Sequence, residues 1–67
     1  MIQIRVNGQR MQLERPLTLD EFVRWRKIEL GFSAIALNMR IIAREKLADY
    51  TLSEDDSIDI ITPMQGG

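Results

Sequence analysis

Asn7-Gly8 separates two short stretches that alternate apolar and polar residues, and no other feature narrows the fold of this chain so far. Ile2, Ile4 and Val6 face one way, with Gln3 and Arg5 facing the other. Beyond the pair, Met11 and Leu13 alternate with Arg10, Gln12 and Glu14. Both turn residues tolerate φ > 0, which gives a two-residue turn whose twist matches that of the strands it joins. With Asn7 and Gly8 as the turn, paired residue numbers sum to 15, so Ile4 faces Met11 and Ile2 faces Leu13. All four side chains then share one face. A hairpin with one apolar face needs a cover, and the rest of the chain must supply it.

Pro16 ends the second strand, and Thr18 reads as a helix N-cap. Glu21, three residues on, completes a Thr-x-x-Glu capping box, and Asp20 adds negative charge at the helix's positive end. Leu19, Phe22 and Val23 form an apolar stripe, and Gly31 is a natural stop after Leu30, so the pattern predicts a helix from Thr18 to about Leu30. Arg26 falls where the next buried residue should sit, with Trp25 and Ile28 beside it. Either the helix rotates or ends early, or Trp25 covers a core edge. Ala34-Ile35-Ala36-Leu37 is apolar on both faces, as a strand with cover on each side would be. Asn38-Met39-Arg40 reads as a turn into a short strand, Ile41-Ile42, followed by a helical turn and loop from Ala43 to Tyr50. Ser53-Glu54-Asp55-Asp56 is another turn, and Ser57 to Thr62 a final strand that Pro63 brings to a close. The compact solution is an α+β mixed sheet with one main helix across a face and the last strand parallel beside the first. That is the β-grasp, or ubiquitin-like, arrangement, expected over residues 1–62.

Composition excludes much chemistry. At 67 residues the chain is one small domain. It has no cysteine, hence no disulfide or thiolate nucleophile, and no histidine, hence none of the usual triads or imidazole ligands. A net charge of −1 gives no broad attraction to nucleic acid or to an anionic membrane. No apolar run approaches the roughly 20 residues of a membrane span, and Gln3, Arg5 and Asn7 interrupt any signal-peptide pattern. The expectation is a cytoplasmic protein that binds neither cofactor nor metal and is not itself an enzyme.

The chain closes on Gly66-Gly67. Without a Cβ, such an end enters channels that exclude other residues, which makes the Gly67 carboxylate a candidate reactive group. The alternative is a frayed end of no consequence. Residues 63–67 are expected to form a flexible tail, in which Pro63, Met64, Gln65 and Gly66 would lie along a partner's channel. From Thr62 to Gly67 an extended chain spans about 20 Å, enough to carry the carboxylate into a buried site. Pro63 either stiffens the base of this tail or merely ends the strand. Met39, Ile61 and Met64 form a docking patch near the tail or else pack in the core. Arg24, Arg26 and Lys27 read as a solvated face or an acidic partner's contact, Glu54 to Asp56 as a turn, and Trp25 as a partly buried packing residue.

Ala34-Ile35-Ala36-Leu37-Asn38, followed by Ile41-Ile42-Ala43-Arg44-Glu45-Lys46-Leu47, resembles the thiamine-biosynthesis sulfur carrier family, ThiS. The ending is similar as well: Leu52, a polar turn, Asp56, Ile58-Asp59-Ile60, and a short tail to Gly66-Gly67. Ala43 stands where the family has proline, Leu47 where it has tryptophan, and Asp55 where a Gly-Asp turn is usual. The resemblance implies that a ThiF-like adenylating enzyme uses ATP to convert the Gly67 carboxylate into an acyl adenylate. A sulfur donor protein then displaces AMP to leave a thiocarboxylate, which delivers sulfur to a ThiG-like thiazole synthase. A MoaD-like carrier for molybdopterin synthesis shares this fold, ending and activation chemistry. A ubiquitin-like modifier or interaction module is a further alternative.

Overall fold

The computed structural model describes residues 1–62; the five expected tail positions, Pro63 to Gly67, lie outside them. The chain runs β1 (Ile2–Val6), β2 (Gln9–Leu13), α1 (Leu19–Trp25), β3 (Ala34–Leu37), β4 (Arg40–Ile42), a 3-10 helix (Arg44–Asp49) and β5 (Ser57–Ile61). The strands form one mixed sheet in the order β2-β1-β5-β3-β4. β5 runs parallel to β1 and antiparallel to β3. The last strand therefore neighbours the first, as expected, and it takes the middle of the sheet with β1 beside it.

The first hairpin has the register that its apolar pattern requires, with Ile2 opposite Leu13 and Ile4 opposite Met11. Asn7 and Gly8 both have positive φ, 51° and 85°, as the tight turn demands. Ile4 and Leu13 are buried, and Ile2, Val6 and Met11 pack at their margin. Helix α1 lies over this face and contributes Leu19, Phe22 and Val23, while Ile35, Ile42, Leu47, Leu52 and Ile58 complete the core. The short 3-10 helix reaches Leu47 into that core. Bonds from Leu19 N–H to Tyr50 C=O (2.9 Å) and from Leu52 N–H to Leu17 C=O (2.7 Å) tie the segment after it to the start of α1.

The capping box is complete. Glu21 N–H donates to Thr18 Oγ1 at 3.1 Å, and Thr18 N–H donates to Glu21 Oε1 at 2.9 Å. The far end of α1 departs from expectation, because the helix stops at Trp25 and does not continue to Leu30. Lys27 takes the left-handed conformation, φ 55°, with its N–H bonded to Arg24 C=O at 3.2 Å. Ile28 N–H then reaches back to Val23 C=O at 3.0 Å. These bonds form a Schellman cap, and Ile28 packs against the core with Val23 as that motif requires. Lysine occupies the position where glycine is usual, so the stop carries no glycine signal in the sequence. Gly31, φ 52°, serves the following loop and not the helix end. β3 also differs from expectation: only its Ile35 and Leu37 side faces the helix, while Ala34 and Ala36 lie on a sheet face that no second layer covers among the described residues.

Candidate functional site

Two surfaces bear on the expectation of terminal chemistry: the end of β5 with Thr62, and the uncovered sheet face beside it. Alternation along the strands sorts that face into two halves. Across β2 and β1 it shows Arg10, Gln12, Gln3 and Arg5; across β5, β3 and β4 it shows Ile61, Ala34, Ala36 and Ile41. Ile41 stands opposite Ala36 and Ile61 opposite Ala34, while Asp59 flanks Ala36 on the β5 side, so the apolar patch carries one carboxylate within it. Met39 projects from the β3–β4 turn at the edge of this patch. Met39, Ile41 and Ile61 are 90%, 67% and 46% exposed. Ile61, left open between core and surface, is a surface residue and lies on one exposed patch with Met39. Ile41, on the same patch, has no signal in the sequence that sets it apart. Its neighbour Ile42 is buried, and a two-residue apolar strand does not reveal which of its residues faces out.

Met39 carries a second cost besides exposure. The β3–β4 connection is a two-residue turn with positive φ at both Asn38 (52°) and Met39 (68°). Asparagine suits the first position, but the second favours glycine, and a methionine there is held in the left-handed region at about 1–2 kcal/mol. A large apolar side chain fully in water on a strained turn gives the fold nothing, which is the pattern expected where binding sets the residue type.

The tail's root is held from both sides. Asn7 N–H donates to Ile58 C=O at 2.8 Å, and Asn7 Oδ1 accepts from Ile60 N–H at 2.9 Å. On the β3 side, Ser33 Oγ and Thr62 Oγ1 are 2.9 Å apart. At the other end of β5, Asn38 Oδ1 accepts from Ser57 N–H at 2.9 Å while Asn38 Nδ2 donates to Asp56 Oδ1 at 2.9 Å. Both turn asparagines therefore reach back to β5. Asp55 takes φ 68° in the preceding turn, the left-handed position that asparagine and aspartate tolerate best after glycine. The acidic side chains around it are engaged locally: Asp56 Oδ2 accepts from Ser53 N–H at 2.8 Å and Glu54 Oε1 from Gln3 N–H at 3.1 Å. Among the described residues no three such groups cluster as a metal site would require.

The profile of the ThiS family matches residues 4–67, nearly the whole chain and through Gly66-Gly67. The chain belongs to the ThiS family. Members are sulfur carrier proteins of thiamine biosynthesis rather than enzymes. The fold is that of the crystal structure of a thiamine biosynthesis protein (ThiS) from Geobacter metallireducens, with a TM-score of 0.86 at 22% identity, covering 98% of this chain and 100% of that one. The NMR solution structure of a thiamine biosynthesis protein from the same organism gives a TM-score of 0.76 at 22% identity, covering 98% and 88%. No curated protein matches the chain. Two further features of this ThiS-family chain stand away from the patch. Trp25 is 55% exposed, its ring centroid 6.1 Å from that of Phe22 and the Arg26 guanidinium 5.6 Å from its own. Arg24 pairs with Asp20 at 2.7 Å on the helix surface, so the basic run is at least partly a solvated face. No helix among the described residues is long and apolar enough to cross a membrane.

Proposed function

We propose that this ThiS-family chain carries sulfur on its Gly67 carboxylate. A ThiF-like enzyme directs the carboxylate oxygen onto the α-phosphorus of ATP; pyrophosphate leaves and an acyl adenylate forms. A sulfur nucleophile at the sulfide oxidation level, presented by a donor protein, attacks the acyl carbon, and AMP departs with the electron pair of the broken C–O bond. The thiocarboxylate so formed is the sulfur source for a ThiG-like thiazole synthase. Residues 63–67 act as the tail: Gly66 admits the chain to a narrow channel, and Pro63, Met64 and Gln65 span the distance to the domain. Met39 and Ile61, with Ile41 between them, form the docking surface. The observation that carries this reading is the family match through Gly67.

Intact-mass measurement on protein isolated from its own cells tests it. Replacement of one terminal oxygen by sulfur is the expected result. Conjugates branched onto lysines would make the chain a modifier, and an unaltered mass with no activation by an adenylating enzyme and ATP would overturn the carrier role. Deleting Gly67 is expected to abolish pyrophosphate exchange into ATP, with circular dichroism showing the fold retained. Activation of the shortened chain at the wild-type rate would locate the chemistry elsewhere.

A further inference from the structure

The structure assigns Asn7 and Ser33 as positioning residues that hold the root of the tail, an inference that rests on the carrier function proposed above. β1 ends at Val6 while β5 continues to Ile61, so Ile60 has no β1 residue level with it. The Asn7 side chain takes that place. Its Oδ1 accepts the Ile60 N–H at 2.9 Å, continuing the ladder by one bond after the backbone of β1 has turned away. The same residue's N–H holds Ile58 C=O at 2.8 Å, so backbone and side chain together grip successive outward groups on this edge of β5. On the opposite edge, Ala34 pairs with Ile61, and the Ser33 hydroxyl meets the Thr62 hydroxyl at 2.9 Å. Side chains from two different loops thus tie Ile60 near the end of β5 on one flank and Thr62, just beyond it, on the other.

A strand end bonded on one flank can swing about that flank; one bonded on both leaves in a single direction. This collar fixes the place at which the chain leaves the sheet, at Thr62, relative to Met39, Ile41 and Ile61. Neither Asn7 nor Ser33 needs to touch the reacting carboxylate. They act through the Ile60 N–H and the Thr62 hydroxyl, fixing the point from which the chain leads on to Gly67 once the apolar patch has docked. A carboxylate delivered about 1 Å off line can lose 10²-fold in rate, so control at the root is felt at the tip.

The test compares wild type, the double variant N7G/S33A, and N7D in pyrophosphate exchange into ATP with the cognate adenylating enzyme. Asn7→Gly keeps a turn that Gly-Gly forms well and removes only the side-chain acceptor. Asn7→Asp keeps an acceptor oxygen for the Ile60 N–H and tolerates the left-handed turn. N7G/S33A should lower kcat about 10-fold, while KM, set by the untouched patch, stays within about twofold. N7D, which keeps both the acceptor for the Ile60 N–H and Ser33, should retain near-wild-type kcat. Amide exchange at Ile60 should quicken in N7G/S33A and not in N7D. A wild-type chain that is activated, with N7G/S33A at wild-type kcat, overturns this inference and leaves the carrier function standing. A wild-type chain that is not activated overturns the carrier function and removes the reaction to be positioned.

Discussion

Replacing Met39 by glycine should make the protein more stable and a poorer carrier. The backbone at this position has φ 68°, where an L-residue is held at a cost of about 1–2 kcal/mol that glycine does not incur. Glycine loses about 0.5–1 kcal/mol more chain entropy on folding, which leaves a net gain of about 0.5–1 kcal/mol. Little packing is lost, because Met39 is 90% exposed. For a domain of this size each kcal/mol moves Tm by about 4–8 °C, so the variant should melt about 2–8 °C higher by circular dichroism. Docking should respond in the opposite sense. Burying a methionine side chain in an interface contributes about 1.5–3 kcal/mol, so titration calorimetry against the adenylating enzyme should show affinity weaker by about 10- to 100-fold. A fall in Tm would refute the turn argument. Unchanged affinity would refute the assignment of Met39 to the docking face.

Lys27→Gly is the matched control: it relieves the same kind of left-handed strain at the end of α1, away from the patch, and should raise Tm by a similar amount with activation kinetics unaltered. Substituting Gly66 by valine should slow adenylation at unchanged Tm, since a Cβ branch would obstruct the approach of the terminus; a wild-type rate would mean that no narrow channel is involved. The Glu21 carboxyl is held below its usual range, chiefly by the Thr18 backbone N–H that it accepts. Its pKa is lower folded than unfolded, so its contribution is present above the unfolded value and lost as pH falls through the folded one. Urea unfolding of Glu21→Gln across the acid side should show that part of the pH dependence gone.

What could be read from the residues was local. The first hairpin was legible to its register because Asn7-Gly8 admits one turn geometry and a one-residue slip would have turned Ile2 and Ile4 outward. The capping box was legible because all its partners lie within four residues. The end of α1 was hidden because Lys27 does work usually given to glycine, and the confirming bond, Ile28 to Val23, shows only in three dimensions. The grip of Asn7 on Ile60 spans 53 residues, and turn propensity alone already accounts for an asparagine there. The exposed apolar patch was half legible: Met39 and Ile61 were marked by type and place, whereas Ile41 needed its strand's facing to be known.

The strand order has a consequence for how the molecule comes into being. β1 with β2 and β3 with β4 are two hairpins that meet in the sheet only through β5, which is synthesised after all four of them. Until β5 leaves the ribosome, neither hairpin has its inner neighbour, and the core lacks Ile58. A chain interrupted anywhere before residue 57 therefore stays open, with two unpaired inner edges exposed to proteases and chaperones. Translation itself then acts as an inspection step, and a nascent carrier takes its shape only when β5 has been made.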